Sequence, residues 1–234
     1  LVPVGGGGLC TGVSTLAKLL NPKIKVIAVE PTGAACLKAS LEAGEVTTVS
    51  KINTIADGTA VQTPGDKLFP YLQANVDHVI TVDDSELTLS FLDMAENHKM
   101  IVENSGLLTV AALKHLDFKG KKVVSVLSGG NMDVLTMATV VQNGLMQRDR
   151  IFTVSVMLPD KPGQLAAVSS LIAKEQGNVI KLEHNVFANV NRTAGVELTI
   201  TLESFGTEHK DQIIKALEAA GYCPVITKTN GIYM

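Results

Sequence analysis

The hydrophobic rhythm of this chain changes once, at the charged stretch "QRDR" (Gln147–Arg150), and that change limits the architecture more than any other feature. Before it, short β-branched runs alternate with helical periods, the pattern of a parallel sheet covered by helices. "KVIAVE" (25–30) and "VDHVITV" (76–82) read as strands. "AACLKASLEAG" reads as a helix stopped by Gly44, "DDSELTLSFLDMAENHK" as one capped by Asp84 or Ser85, and "GLLTVAALKHL" as a third. "KKVVSVLSGGN" (121–131) is expected to be a strand ending in a glycine turn, and "DVLTMATVVQNGL" a helix capped by Asn131 or Asp133. After the change the order is strand, helix, two strands, helix, strand: "IFTVSVML", "GQLAAVSSLIAKEQG", "NVIKLEHNVF", "GVELTITLES", "EHKDQIIKALEAAG" and "YCPVIT". This βαββαβ order is the split ferredoxin-like arrangement. In the third of these strands Val196, Leu198, Ile200 and Leu202 fall strictly on one face. The expected division is therefore residues 1–146 and 151–229.

Composition narrows the class further. With 234 residues, 46% apolar and 18% charged, the chain has material for packed cores and none of the bias of a disordered one. A net charge of −3 leaves no footprint for nucleic acid or an anionic membrane. No apolar run approaches the roughly 18 residues that span a bilayer. Cys10, Cys36 and Cys223 are odd in number and lack CxxC spacing, which points to free thiols in a reducing cytoplasm. The pattern opens mid-strand at "LVPV", so the chain reads as the later part of a longer polypeptide.

Two glycine-rich turns carry the chemistry. Gly5–Gly8 stand between an apolar strand and a helix expected to begin near Thr11. Bare backbone there lets several N–H groups converge on an anion while the helix dipole adds a favourable field; the alternative is a structural turn. No Gly-Lys-Ser/Thr follows, so this is not a P-loop, and Cys10 occupies the third-glycine position of a dinucleotide fingerprint. In "SVLSGGN" (125–131), Ser128 places a small hydroxyl at the carboxyl edge of the sheet, where open α/β folds bind ligands; by itself the stretch is also an ordinary strand-to-helix turn.

Taken together, "VPVGGGGLCTG", "IADGTAV", "IVENSG" and "VLSGGN" resemble, in order and separation, the later part of the fold-type II pyridoxal phosphate enzymes, and within them the threonine dehydratases. Serine dehydratases and serine racemases are the neighbouring groups. "LPDKPGQL" (158–165) resembles the opening of an ACT domain, which several threonine dehydratases carry after the catalytic part. The resemblance implies an α/β catalytic domain, incomplete here, followed by a ferredoxin-like ACT domain in a homo-oligomer of the cytoplasm. It implies that Gly5, Gly6, Gly7 and Gly8 hold the phosphate of pyridoxal phosphate through backbone amides and that Ser128 faces the pyridine nitrogen. A neutral hydroxyl at that nitrogen suits β-elimination over transamination. Glu103 matches an acid beside the cofactor, or else is a carboxylate at a helix start.

The same resemblance places Glu30 and Ala34 at two positions of the cation site of the racemase branch, with Cys36 where an aspartate stands; a thiol suits neither Mg²⁺ nor Ca²⁺, so no metal is expected. The lysine that carries the cofactor in this family lies upstream of the glycine run, and Lys18 and Lys23 are expected to be solvated. The implied reaction is deamination of L-threonine to 2-oxobutanoate and ammonia by the parent protein, the chain by itself being inactive. In the ACT domain, Asp160 and Gly163 sit at the loop that resembles an amino-acid effector site, with isoleucine or valine as the implied effector. The alternative is a domain that only assembles subunits. His184 is followed by Asn185 and Val186 where relatives carry His-Asp-Arg.

Overall fold

A computed structural model describes residues 1–185 and 195–229. The chain forms two compact units, Leu1–Val141 and the part from Gln142 onward. In the first, β1 (Val2–Pro3), β2 (Ile27–Pro31) and β3 (His78–Val82) make a parallel sheet in the order β1-β2-β3. Val2 pairs with Ala28, and Val29 with Ile80. Helices α1 (Gly8–Leu20), α2 (Cys36–Ala43), α3 (Phe69–Asn75), α4 (Asp84–Asp93) and α5 (Asn104–Ala111) cover it, and α6 (Val134–Gln147) runs across the division between the units.

Period-2 alternation explains why both faces of the sheet are buried. Ala28 joins Val2, Val4, Cys10, Leu37 and Leu72 in one cluster, while its neighbour Val29 joins Ile80, Val82, Leu87, Phe91 and Leu108 in another. Each fully buried side chain of this size contributes about 1.5–3 kcal/mol. The strands thus stand as a rigid floor from whose carboxyl ends the loops emerge.

Local chemistry corrects several expectations. The first helix begins at Gly8, inside the glycine run, because Gly7 adopts φ 94° and serves as its N-cap. The fourth is capped by Asp83, not Asp84 or Ser85: Asp83 and Glu86 form a capping box, and Asp84 instead accepts hydrogen bonds from Thr54 Oγ1 at 2.6 Å and Ile55 N at 3.0 Å. Asp133 caps α6, accepting from Thr136 N at 2.9 Å. Residues 121–131 form no strand. Their contact with the sheet is a single parallel rung, in which the Leu1 amino group donates to Val124 O and Val126 N donates to Leu1 O. β1 is only two residues long and ends in proline, which has no N–H to extend the ladder. Helix α3 was not expected from the sequence, its seven residues being too few to display a period.

In the second unit β4 (Ile151–Leu158), β5 (Asn178–Asn185), β6 (Val196–Glu203) and β7 (Val225–Thr227) form an antiparallel sheet in the order β5-β6-β4-β7. Helices α7 (Gln164–Lys174) and α8 (Thr207–Ala219) complete the βαββαβ order. Val196, Leu198, Ile200 and Leu202 are all buried, as their alternation requires. Leu198, Ile200 and Leu202 pack with Phe152, Val154, Val168 and Ile213. The expected strand 178–187 is described to Asn185; Val186 and Phe187 lie outside the described residues.

Candidate functional site

The run Gly5–Gly8 leaves the carboxyl end of β1 and enters α1. Val4 N donates to Val29 O at 2.9 Å, which fixes the start of the loop, and Gly65 N donates to the carbonyl of Gly6 at 3.0 Å, which fixes its back. Among the described residues the N–H groups of Gly5, Gly6, Gly7 and Gly8 meet no protein acceptor. Gly7 cannot be replaced cheaply: its φ of 94° disfavours any Cβ, and a Cβ there would stand 2.7 Å from Leu72 Cδ1.

These donors line a cavity of ≈ 180 Å³. Its opposite wall brings together Gly58, Thr59, Glu103, Ser105 and Ser128. Gly58 and Thr59 belong to a short 3₁₀ turn, and a Cβ on Gly5 would meet Thr59 Cα at 2.9 Å. Glu103 is the N-cap residue of α5, yet its carboxylate does not cap that helix. Oε2 accepts from Asn131 N at 3.2 Å, while Glu103 N donates to Gly129 O at 3.4 Å. The turn after Ser128 is thereby tied to the start of α5, and a Cβ on Gly129 would sit 2.2 Å from Glu103 Oε1. So the structure brings the glycine run, Glu103 and Ser128, three stretches far apart in sequence, into one cavity.

Comparison with known proteins places the two parts of the chain in families. Residues 1–129 match the family described as pyridoxal-phosphate dependent enzyme, and residues 152–221 match the ACT domain. The chain belongs to the pyridoxal-phosphate dependent enzyme family. It is 36% identical over 231 residues to an L-threonine ammonia-lyase of Geobacter sulfurreducens, covering 97% of this chain and 57% of that protein. Among solved structures it is similar to the processed form of threonine deaminase isoform 2 from Solanum lycopersicum (32% identity, TM-score 0.57, covering 61% of this chain and 43% of that one). It is also similar to serine racemase from Dictyostelium discoideum (42% identity, TM-score 0.51, 57% and 43% covered). The chain thus spans a little over half the length of the curated relative.

As a member of the pyridoxal-phosphate dependent enzymes, the chain can be tested for fit to a phosphate ester. The residues fit: a row of free N–H groups at the positive end of a 13-residue helix is a built anion receptor, and no carboxylate occupies it. Helix α2 shows the contrast within the same unit. Its first-turn amides already hold an anion, since Leu37 N donates to Glu30 Oε1 at 2.7 Å and Lys38 N to Oε2 at 2.8 Å. Glu30 is wholly buried, and burial pushes its pKa up to about 7 against the lowering effect of those two bonds. Burial likewise raises the Cys36 thiol to about 12, reinforced by Glu30 beside it. Ala34 is buried in the turn between them, and both oxygens of Glu30 are engaged by backbone.

Lys18 departs from expectation. It is only partly solvated, its side chain 20% exposed: Nζ donates to Asp77 Oδ2 at 2.6 Å and to Ile24 O at 2.8 Å. Lys23 is exposed. In the second unit Asp160 and Gly163 share an exposed loop. Gly163 has φ 89° and caps α7, but nothing lies within 4 Å of its missing Cβ. His184 is exposed on β5, opposite Leu198. A larger cleft of ≈ 540 Å³ is lined by the end of α7 and the start of α8, and several of its polar groups bond to one another. His209 Nδ1 accepts from Phe205 N at 3.0 Å, so Nε2 carries the proton and donates to Glu175 O at 2.6 Å. Gln212 Nε2 donates to Glu175 Oε2. Sequence reading overlooked Gly58, Thr59 and Ser105, although each lies inside the quoted motifs "IADGTAV" and "IVENSG".

Proposed function

We propose that the protein containing this chain deaminates L-threonine to 2-oxobutanoate and ammonia, with pyridoxal phosphate held in the cavity between α1 and α5. The observation that carries this reading is the convergence of the unpartnered glycine N–H groups with Glu103 and Ser128, in a chain 36% identical to an L-threonine ammonia-lyase. When bound, pyridoxal phosphate supplies an electron-withdrawing ring that delocalises the electrons left on the α-carbon as its proton departs. Gly5, Gly6, Gly7 and Gly8 bind the phosphate, the α1 dipole adding to their donors. The Ser128 hydroxyl would serve the ring nitrogen and, being neutral, would supply no charge to hold a full proton there. Glu103, anchored through Oε2 by Asn131 N, keeps Oε1 toward the ligand.

The second unit, which we place at residues 151–229 after a catalytic part ending at 146, binds a branched-chain amino acid, isoleucine or valine, at the Asp160–Gly163 loop. There the first amides of α7 receive the carboxylate. The assembly is a homo-oligomer of the cytoplasm. Among the described residues no helix is long and apolar enough to cross a membrane. Racemisation or dehydration of serine is the rival activity, favoured by the likeness to serine racemase; the ACT match favours the threonine reading.

The test is direct. The complete polypeptide, purified with its cofactor, is expected to show a visible cofactor absorbance band and to release 2-oxobutanoate from L-threonine. A protein that stays colourless under saturating cofactor, or that forms D-serine without 2-oxobutanoate, overturns the reading.

A further inference from the structure

Ser105 is 4% exposed, yet its hydroxyl makes no hydrogen bond with any described residue, and the residue lines the cavity. The hydroxyl opens on the cavity, where a ligand seated there supplies the partner that the protein does not. The N–H groups of Asn104 and Ser105, at the start of the eight-residue α5, also meet no acceptor among the described residues, the first bonds of the helix being Gly106 N and Leu107 N to Glu103 O. Three donors therefore gather at one spot.

The location of that spot within the cavity is set by close contacts. A Cβ on Gly106 would touch Ser128 O at 2.6 Å, and a Cβ on Gly58 would lie 3.0 Å from Ser105 Oγ and 3.4 Å from Glu103 Oε1. The start of α5 is thus packed on the Ser128–Gly129 turn. Gly5 abuts the other side of the same turn, a Cβ there meeting Thr59 Cα at 2.9 Å and Gly58 O at 3.2 Å. Ser105 therefore lies across the Gly58 turn from the glycine cradle, on the side it shares with Glu103.

Resting on the function proposed above, we infer that Ser105 is a ligand-contacting residue whose hydroxyl hydrogen-bonds the ring portion of the bound pyridoxal phosphate, an oxygen substituent of the ring and not the phosphate. Donors from a helix start and a hydroxyl together select an oxygen bearing negative charge. The cradle fixes one end of the ligand and Ser105 fixes the other, which sets the ring's tilt against Ser128.

The experiment strips the complete polypeptide of cofactor and titrates it with pyridoxal phosphate by absorbance, and separately with inorganic phosphate by calorimetry. Ser105→Ala is expected to weaken pyridoxal phosphate by about tenfold, the loss of one hydrogen bond, while inorganic phosphate binds as before. Equal pyridoxal phosphate affinities in the parent and Ser105→Ala proteins overturn the inference, and so does a parallel loss of inorganic phosphate in a variant that retains its far-UV spectrum. If Ser105→Ala does not fold, Ser105→Cys carries the test, keeping the volume with a poor donor and expected to show the same tenfold loss; an unchanged affinity there overturns the inference. Failure of the parent protein itself to bind pyridoxal phosphate sinks the functional proposal instead, and is told apart by that control.

Discussion

Helices α1 and α7 start alike and end up in different circumstances. Each is capped by a glycine in the left-handed region, Gly7 at φ 94° and Gly163 at φ 89°, and each presents first-turn amides with no side-chain cap. Around Gly7 the space is filled by Leu72 and Leu68, and the loop faces a cavity walled by α5. Around Gly163 there is open space. The same backbone device is therefore walled in one unit and open in the other. A closed receptor can hold a resident group, whereas an open one suits a ligand that comes and goes or is covered by another surface.

The largest effect expected from breaking this contrast is on stability. Gly7→Ala combines about 1–2 kcal/mol of backbone strain with roughly 1–3 kcal/mol of overpacking against Leu72. Gly163→Ala carries the strain alone. Denaturant titration followed by circular dichroism should separate the two variants; equal losses would show that the crowding at Gly7 is relieved by a rotation of Leu72. Gly7→Ala should also empty the cofactor band, which Gly163→Ala should leave intact.

Next in size is a crossed loss of binding. Glu103→Gln removes the charged acceptor of Asn131 N and is expected to weaken cofactor retention by about tenfold to a hundredfold, with isoleucine binding unchanged in calorimetry. Asp160→Ala should do the reverse. If Asp160→Ala leaves isoleucine and valine binding untouched, the open loop is no effector site.

Glu30 supplies a third comparison, since α2 carries its anion within the protein. Its pKa is about 7 in the folded chain against 4.5 when unfolded. The unfolded form releases the proton first, so the contribution of Glu30 to the stability of the first unit should be full below pH 4.5 and fall as pH rises toward 7. Glu30→Gln should flatten that slope in thermal melts across the interval, and a parent protein with no such slope would contradict the burial argument. Smallest is the effect at the far end of α1. There burial works to raise Asp77, but bonds from Lys18, Val26 N and Lys25 prevail and hold its carboxyl at about 2. It should stabilise the unit above pH 3.8 and lose that contribution as pH falls through about 2, a limb that Asp77→Asn removes.

What sequence revealed and what it hid follow from the range of the forces involved. Gly5–Gly8, Glu103 and Ser128 stood out because their motifs are local and contain residues chosen for backbone access. The two sheets were readable from alternation, Val196 to Leu202 above all. The partner of residues 121–131 was not, since a strand needs a ladder and β1 offers one rung. Asp83 and Asp84 are equally good caps by residue type, and only the contact of Asp84 with Thr54 and Ile55 separates them. Ser105 looked like any serine in a first turn; its lack of a partner exists only once α5 is packed against Gly58.

The bond from Gly65 to the carbonyl of Gly6 has a kinetic meaning. A stretch of four glycines ought to sample many shapes, and closing it on a guest would then be slow and entropically expensive. Here the stretch is clamped from behind and from Val4, so on the proposed function an incoming ester would meet amides already held in place, and capture would not wait for the loop to fold.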